Sequence, residues 1–561
     1  MDKKTVIGLV LIGLIFLLWP YYMKKVVGVP DKPVQTKQEQ VVQRDEPVLQ
    51  ESAATKKEEK RDISKTKKTA KVNSIKDSGR EKEVIVENNL FRGVLSSRGG
   101  GTVVGWQLKK HKDREGNWLQ IIPDSSGANL GIIIGDPVQR SYDLSEINFN
   151  VILNTQWTEQ GRNFQKVEFE KDLNPGRIVK QFLIKDDSYT VDIKIWVEGI
   201  TREQGARGVT LIWDSGINPT EPDLARDIRY CAAIAHQGGD LLKTSVKPTG
   251  FREGITDWVA VRSKYFVVAI VPQSEKATGV SLDGRNIKIL RNGEIEKWRT
   301  LKAEITVPIS QKQDEPVKVA FYAGPMDYKQ LKSFHENLEK LMNFGWTIIR
   351  PFSIAFFYTL QFLFGIFHDY GIAIIIFAIL IKIVLYPLTK KSYKSMHEMQ
   401  ALQPKITALR DKFKDNPQKL NEETMKLYKK HGVNPMGGCL PMLLQMPVLF
   451  ALFNLFRTTI MLRQAQFLGG LVKDLSAPDH MIMGINVLPI LMSVTMIFQQ
   501  RLTNKDPKQK MMAYFMPMMM AFIFYKLSAG LNLYYLMFNL LTIAQELFVS
   551  KNKKEEKEIA E

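Results

Sequence analysis

The sequence predicts a polytopic α-helical membrane protein with six transmembrane helices and a large extracytoplasmic antiparallel β-sandwich. Three observations predict it. Apolar residues are 44% of the 561, yet they bunch near the start and in the last third. Cation-rich and cation-poor loops alternate between the late apolar runs. The stretch between, residues 84–325, reads as short period-two runs with few helical windows, as in a sandwich. Length and a net charge of +19 alone admit a nucleic-acid binder or a membrane protein. The distribution decides for the membrane, because much of the excess lies in membrane loops and a linker. Direct recognition of nucleic acid is therefore not expected. Two cysteines, Cys231 and Cys439, lie in unlike surroundings and exclude a disulfide framework.

Residues 5–23, TVIGLVLIGLIFLLWPYYM, carry no charge and end in Trp19, Tyr21 and Tyr22. At about 1.5 Å per residue this nearly crosses a hydrocarbon core of about 30 Å. A cleaved signal peptide is the competing reading; the bulky WPYY end, with no small-residue cleavage signature, favours an anchor over 1–25. Residues 26–83 read as a disordered charged linker. Within them, 31–83 have no aromatic residue, fourteen Lys/Arg and eleven Asp/Glu, too little apolar surface to order the segment. In the sandwich region, VDIKIWV (191–197) shows period two, and 177–185 precedes it across an Asp186-Asp187 turn, which reads as a hairpin. YFVVAIV (265–271) and AEITVPI (303–309) read as further strands.

A membrane-surface region follows at 326–367. Tyr328, Leu331, Phe334, Leu338, Leu341 and Met342 recur at steps of three and four, predicting an amphipathic helix over 326–345 at the outer surface. Residues 348–367 are apolar, but Arg350, Pro351 and Gln361 weaken them as a span. They read as a helix that dips into the membrane or extends the next span. Five further runs, 371–388, 437–456, 481–498, 511–527 and 531–549, make a five-helix core over 368–550, and almost no polar face appears among them. The 388–435 loop holds eleven Lys/Arg, and the 501–510 loop has Arg501, Lys505, Lys508 and Lys510. The 458–480 loop has only Arg463 and Lys473. Cation counting then places 388–435, 501–510, both termini and the 551–561 tail in the cytoplasm, with residues 24–345 outside.

No P-loop, G-x-S-x-G, H-E-x-x-H or C-x-x-C is present, and the outer domain has only His111 and His236, without metal spacing. The sequence therefore names no catalytic residue, no metal ligand and no cofactor, and reads as a non-enzyme. Lys382, inside the 371–388 run, carries the most information. It has two readings: a cation facing an interior or watery cavity, or a long side chain that snorkels to the cytoplasmic interface. Gln445, Asn454, Asn532, Asn539 and Gln545 lie in the other runs. They either tie helices together or line a polar interior with Lys382. Eighteen of 22 Met follow residue 390, which suits either a surface that receives many apolar partners or a Met-rich membrane core. In the loop, Tyr393, Met396, Met399, Leu402, Ile406, Leu409 and Phe413 step by three or four; a turn at Asp415-Asn416-Pro417 and a second arm follow. This predicts a basic helical hairpin over 389–431, either merely solvated or a docking arm.

Four strings carry a resemblance: YPLTKKSYKSMHEMQALQPKI (386–406), the run from Asn434 through 456, DLSAPD (474–479) and SAGLNLYY (528–535). With them the chain resembles the YidC-type membrane protein insertases, strongly over roughly 320–550, and the anchor with its outer β-domain resembles the long Gram-negative form. FYAGPMDY (321–328) is the suggestive front-end string. The resemblance implies an inner-membrane, multi-pass insertase and chaperone. It implies five core helices around a hydrophilic groove, with Lys382 where the family usually has Arg. Gln445, Tyr534 and Tyr535 are then groove or substrate-contacting residues, joined as groove lining by Asn539 from the polar residues of the runs, and the hairpin is a mobile arm. Implied partners are nascent membrane proteins, lipids, the Sec translocase including its SecD/SecF accessory part, and a ribosome surface. The rival is a small-molecule or lipid-linked carbohydrate transporter with a periplasmic binding domain; the inverted repeats that would favour it are not seen in the sequence.

Overall fold

A computed structural model describes residues 80–113, 115–122, 127–135, 140–200, 208–291, 293–310, 315–414, 416–433, 440–503 and 510–560. The anchor, most of the linker, Cys439 and most of the 501–510 loop lie outside the described residues. The chain divides into two compact units. One holds the described residues up to Val261 together with Ile270–Phe321; the other holds Arg262–Ala269 and the chain from Tyr322 onward.

The β-rich region contains β1 (Glu83–Glu87), β2 (Phe91–Ser96), β3 (Thr102–Lys112) and β4 (Trp118–Ile122), paired in that order as one sheet. A fourteen-stranded sheet follows. It uses β5 (Ile132–Gly135), β6 (Arg140–Asp143), β7 (Asn150–Glu159), β8 (Arg162–Asp172), β9 (Arg177–Lys185), β10 (Thr190–Glu198) and β11 (Gly208–Trp213). The rest are β12 (Ala232–Gln237), β13 (Asp240–Thr244), β14 (Phe251–Arg262), β15 (Phe266–Pro272), β16 (Ala277–Arg291), β17 (Glu294–Pro308) and β18 (Val317–Pro325). The order is β6-β5-β11-β17-β16-β14-β15-β18-β10-β9-β8-β7, with β12 and β13 branching from β14.

The hairpin expected at 177–197 is present. β9 and β10 pair antiparallel with Val191 opposite Ile184, and Asp187 adopts a positive φ in the turn. Their alternate residues are buried, which is what period two dictates for a strand with one covered face. β15 is buried along its whole length, as its unbroken apolar run requires. Trp106 of β3 stacks on Phe91 of β2 at 4.1 Å between ring centroids and meets Phe321 of β18 edge-to-face at 5.6 Å. Trp213 of β11 lies 5.7 Å from the same phenyl ring, so residues of both sheets share one core. Gly101 has φ +91°, and a Cβ there would stand 2.4 Å from Phe182, so this tight turn admits only glycine.

The helical unit holds α2 (Tyr328–Lys332), α3 (Arg350–Phe367), α4 (Tyr370–Ala401), α5 (Gln403–Lys412), α6 (Pro417–Lys430), α7 (Leu440–Thr458), α8 (Val487–Thr503), α9 (Lys510–Phe524) and α10 (Ala529–Ala560); α1 is the short turn Leu224–Asp227 in the β-rich unit. Two expectations need correction. The periodic stretch 326–345 is not one helix. Ser333 Oγ donates to Gln330 O at the end of α2, His335 and Asn337 take positive φ, and a 3-10 turn follows at Leu338–Leu341. The apolar set is still buried, including Leu331, Leu338 and Leu341, so the periodicity reported burial rather than helix length. Nor does 348–367 extend the next span. His368 ends α3 in the left-handed conformation, and Asp369 caps α4 by accepting from Ile372 N at 3.0 Å. By length and composition, α3 and the first eighteen residues of α4 can each cross a membrane, while Val487–Leu502 and Tyr514–Phe524 are apolar but shorter.

Candidate functional site

The site begins with α4. Its apolar first half is interrupted only by Lys382, twelve residues in, or about 18 Å along the axis. The helix passes through Pro387 and runs on into the basic segment as far as Ala401. Lys382 is 9% exposed, and its Nζ donates to Thr542 Oγ1 of α10 at 2.7 Å. The ammonium also stands 4.8 Å from the centroid of Phe538, a cation–π distance. Thr542 Oγ1 itself donates to Phe538 O at 2.7 Å, so its hydrogen is committed and its lone pairs face the lysine. Glu546, one turn further along α10, is 5% exposed and acts electrostatically on Lys382. The sequence reading missed Thr542, Phe538 and Glu546. A signal for the last was present: Glu546 is the one carboxylate in the five late apolar runs.

The start of α10 is fixed by a neighbouring loop. Ala529 N and Gly530 N donate to Ala477 O and Leu475 O at 2.7 and 2.9 Å, giving partners to amides that a helix start leaves open. Asp479 Oδ2 accepts from Val487 N and Leu488 N at 2.5 and 3.1 Å and so caps α8. Asn486 Nδ2 donates to Tyr525 O at 2.7 Å just beyond α9. DLSAPD and SAGLNLYY, far apart in the chain, thus meet in one clasp that fixes the starts of α8 and α10. A Cβ at Gly371 would stand 2.1 Å from the Phe467 ring, so the loop also seats directly on the first turn of α4.

Tyr534 and Tyr535 are buried, their rings 5.1 Å apart and perpendicular, with Phe377 and Phe538 around Tyr534 and Phe524 against Tyr535. Both hydroxyls are buried without a hydrogen-bond partner among the described residues. Asn539 Nδ2 makes long contacts of 3.4 and 3.5 Å to Met492 O and Thr495 Oγ1, reaching from α10 to α8. Asn532 Nδ2 donates to Phe524 O at 3.3 Å, joining α10 to α9, while its Oδ1 has no partner among the described residues. Asn454 Nδ2 and Gln545 Oε1 are likewise buried without one. Gln445 is half-buried on α7, and no described contact joins it to Lys382. The helical interior therefore holds a cation, a carboxylate and several orphaned polar atoms, all costly in an apolar medium. Among the described residues, no group of His, Cys, Asp and Glu is placed to hold a metal ion.

The basic hairpin forms as two arms, with a break the sequence did not reveal: α4 ends at Ala401 and α5 restarts at Gln403 with Pro404 in its first turn. Asn416 caps α6, accepting from Lys419 N at 3.0 Å. Leu402, Ile406 and Val433 make a small core with Met399, Leu427 and Tyr428 packed on it. Leu409 and Phe413 are half-buried, and Lys412 and Lys419 each stand 5.6 Å from the Phe413 ring. Tyr393 and Met396 have helical backbone, but their side chains lie outside the described set.

Comparison with known proteins identifies the family. Residues 362–557 match the family described as 60Kd inner membrane protein, and residues 83–355 match the YidC periplasmic domain. The membrane protein insertase YidC of Prosthecochloris aestuarii is 37% identical over 579 residues, covering 98% of this chain and 95% of that protein. Its namesakes in Pelodictyon phaeoclathratiforme and Chlorobium luteolum are 37% and 35% identical, again over 98% of this chain and 95% of theirs. A crystal structure of an active YidC insertase with its first transmembrane domain resolved aligns over 83% of this chain and 92% of that one, at 20% identity and a TM-score of 0.37. The sequence relatives carry the assignment, and they leave the transporter alternative without support. The chain belongs to the YidC family of membrane protein insertases.

Proposed function

We propose that this protein inserts integral membrane proteins into the inner membrane and helps them fold, alone or with the Sec translocase, through a hydrophilic groove centred on Lys382. One observation carries the reading: a lysine is buried within the helical unit, held by Thr542 and Phe538, and the same unit buries polar atoms that have no partner among the described residues. The acidic or polar outer segment of a passenger protein would be drawn to this cation while its apolar helix moves into lipid. Burial of that helix supplies the driving force, and no nucleotide is required. A partly polar interior lowers the cost of moving a short hydrophilic tail across an apolar layer. Gln445, Tyr534, Tyr535 and Asn539 act in this reading as groove lining.

The topology that goes with it has six spans: the anchor, the apolar half of α4, α7, α8, α9 and the apolar half of α10. The two termini are cytoplasmic, the β-rich domain is a periplasmic sandwich, and α3 lies at the outer interface. The eleven cations of the 388–435 loop support that orientation. The basic hairpin then meets ribosome or translocase from the cytoplasmic side.

The test is protease protection of a two-span protein with an acidic outer loop, inserted into liposomes holding the purified full chain. Wild type and Lys382→Arg should protect it, and Lys382→Ala and Lys382→Glu should fall by roughly tenfold, as expected for loss of a buried functional ion. Equal protection by all four removes the cation from the mechanism. No protection above empty liposomes ends the insertase reading.

A further inference from the structure

The proposed mechanism leaves one buried carboxylate unused. Glu546 and Lys382 are about equally hidden, 5% and 9% exposed, in helices read here as crossing lipid. An ion in such a place is expensive unless an opposite charge stands close by. Thr542 and Glu546 are four residues apart on α10, hence neighbours on one stripe of the helix, about 5–6 Å apart at Cβ. Thr542 already contacts the Lys382 ammonium at 2.7 Å, so this spacing brings the carboxylate beside the same ammonium, and the two interact electrostatically. One helix thus presents the lysine with a hydroxyl acceptor, a ring face and a carboxylate. Because the Thr542 hydrogen is committed to Phe538 O, the hydroxyl offers nothing to an incoming anion.

We infer that Glu546 is the resident counter-ion of Lys382 and sets the selectivity of the groove: an acidic passenger segment reaches the lysine only by displacing Glu546. This deepens the insertase reading and rests on it. The paired site is nearly neutral at long range, so a neutral or weakly polar segment slides past it undisturbed. A carboxylate brought into contact exchanges one ion pair for another, and the attraction depends on how firmly Glu546 holds its place. Removing the Glu546 charge while keeping its shape leaves the lysine open to acidic segments alone.

The experiment uses the full chain in liposomes and two versions of a two-span test protein, its outer loop carrying three Asp or three Asn. Glu546→Gln should raise the Asp-to-Asn insertion ratio about threefold over wild type, the scale of one exposed competing charge. On a Lys382→Ala background, Glu546→Gln should leave the ratio unchanged. A ratio that stays level or falls in the single variant overturns the inference, as does a rise that persists without Lys382. A second readout needs no insertion: thermal unfolding of the detergent-solubilised chain, followed by tryptophan fluorescence. The charge-reversed double variant Lys382→Glu/Glu546→Lys should recover most of the Tm lost by each single reversal. A double variant melting as low as the two losses summed shows that the residues are not a pair. Wild type that inserts nothing ends the insertase reading, and the Tm comparison still decides the pair.

Discussion

Two lysines, one in each unit, look alike by burial and differ in what surrounds the charge. Lys180 of β9 is fully buried; its Nζ donates to Leu130 O at 2.6 Å and stands 5.0 Å from the Phe182 ring. Lys382 of α4 has the same kinds of partner at 2.7 and 4.8 Å. For Lys180 burial alone acts on the charge and pushes its pKa down to about 7. Lys382 has Glu546 acting on it in addition. Lys180 is therefore a stability cost sealed inside a sheet core. Lys382, in the proposal above, has a counter-charge that another carboxylate can replace. Burial and charge alone do not separate the two lysines; the neighbouring carboxylate does.

The largest effect should separate the two directly. Lys382→Met should reduce insertion in the liposome assay by roughly tenfold, the scale for a buried functional ion, while Lys180→Met changes it by less than about twofold. An equal drop in both would break the comparison and make burial itself the common cause. Next in size is the turn beneath Lys180. Gly101→Ala combines a φ of +91° with a Cβ 2.4 Å from Phe182, the ring beside the lysine. It should cost about 2–4 kcal/mol of stability in the β-rich unit, read as a lower denaturant midpoint by tryptophan fluorescence of the full chain.

A pH experiment sharpens the same contrast. The Lys180 pKa is about 7 in the folded chain against 10.5 unfolded, so between these values the unfolded state binds more protons. Stability of the β-rich unit should then rise with pH from about 7 toward 10 and level off below 7, where both states are protonated. Lys180→Met should flatten that slope and add about 1–3 kcal/mol at pH 7 and below, since it removes a buried charge without a counter-ion. A wild-type profile with no rise above pH 7 would show that water reaches the ammonium.

What the sequence made legible follows the same physics. The period of two at 191–197 located β10 and its hairpin with β9, because such a period has one structural meaning when one face is covered. Apolar runs located α4, α7, α8, α9 and α10, but their ends were misplaced. Hydropathy stops near Leu388, whereas the backbone hydrogen-bond ladder carries α4 to Ala401 regardless of polarity. The 326–345 stretch failed for the opposite reason: periodic burial survived while Ser333, His335 and Asn337 broke the ladder. At the site, Lys382 was visible as a charge in an apolar run. Its partners Thr542 and Phe538 were not, and Glu546 was visible as a lone carboxylate but not as a neighbour, since all three come from a helix about 160 residues away and only packing brings the two together.

The smallest effect tests the part of the comparison that the two lysines share. Both donate to an oxygen, but the acceptor of Lys180 is a backbone carbonyl no substitution can remove, whereas Lys382 donates to the Thr542 side chain. Thr542→Val keeps the volume and deletes the acceptor. The ammonium then keeps Phe538 and Glu546, so the loss should be one hydrogen bond to a charged group, about 1–3 kcal/mol in the detergent-melting assay, softened by whatever the carboxylate takes over. Insertion should change by only about twofold, far less than for Lys382→Met, because the charge and its exchangeable partner remain. A loss as large as that of Lys382→Met would make the hydroxyl, not the carboxylate, the group that holds the groove cation. The difference between Lys180 and Lys382 would then lie in the surrounding medium rather than in the counter-ion.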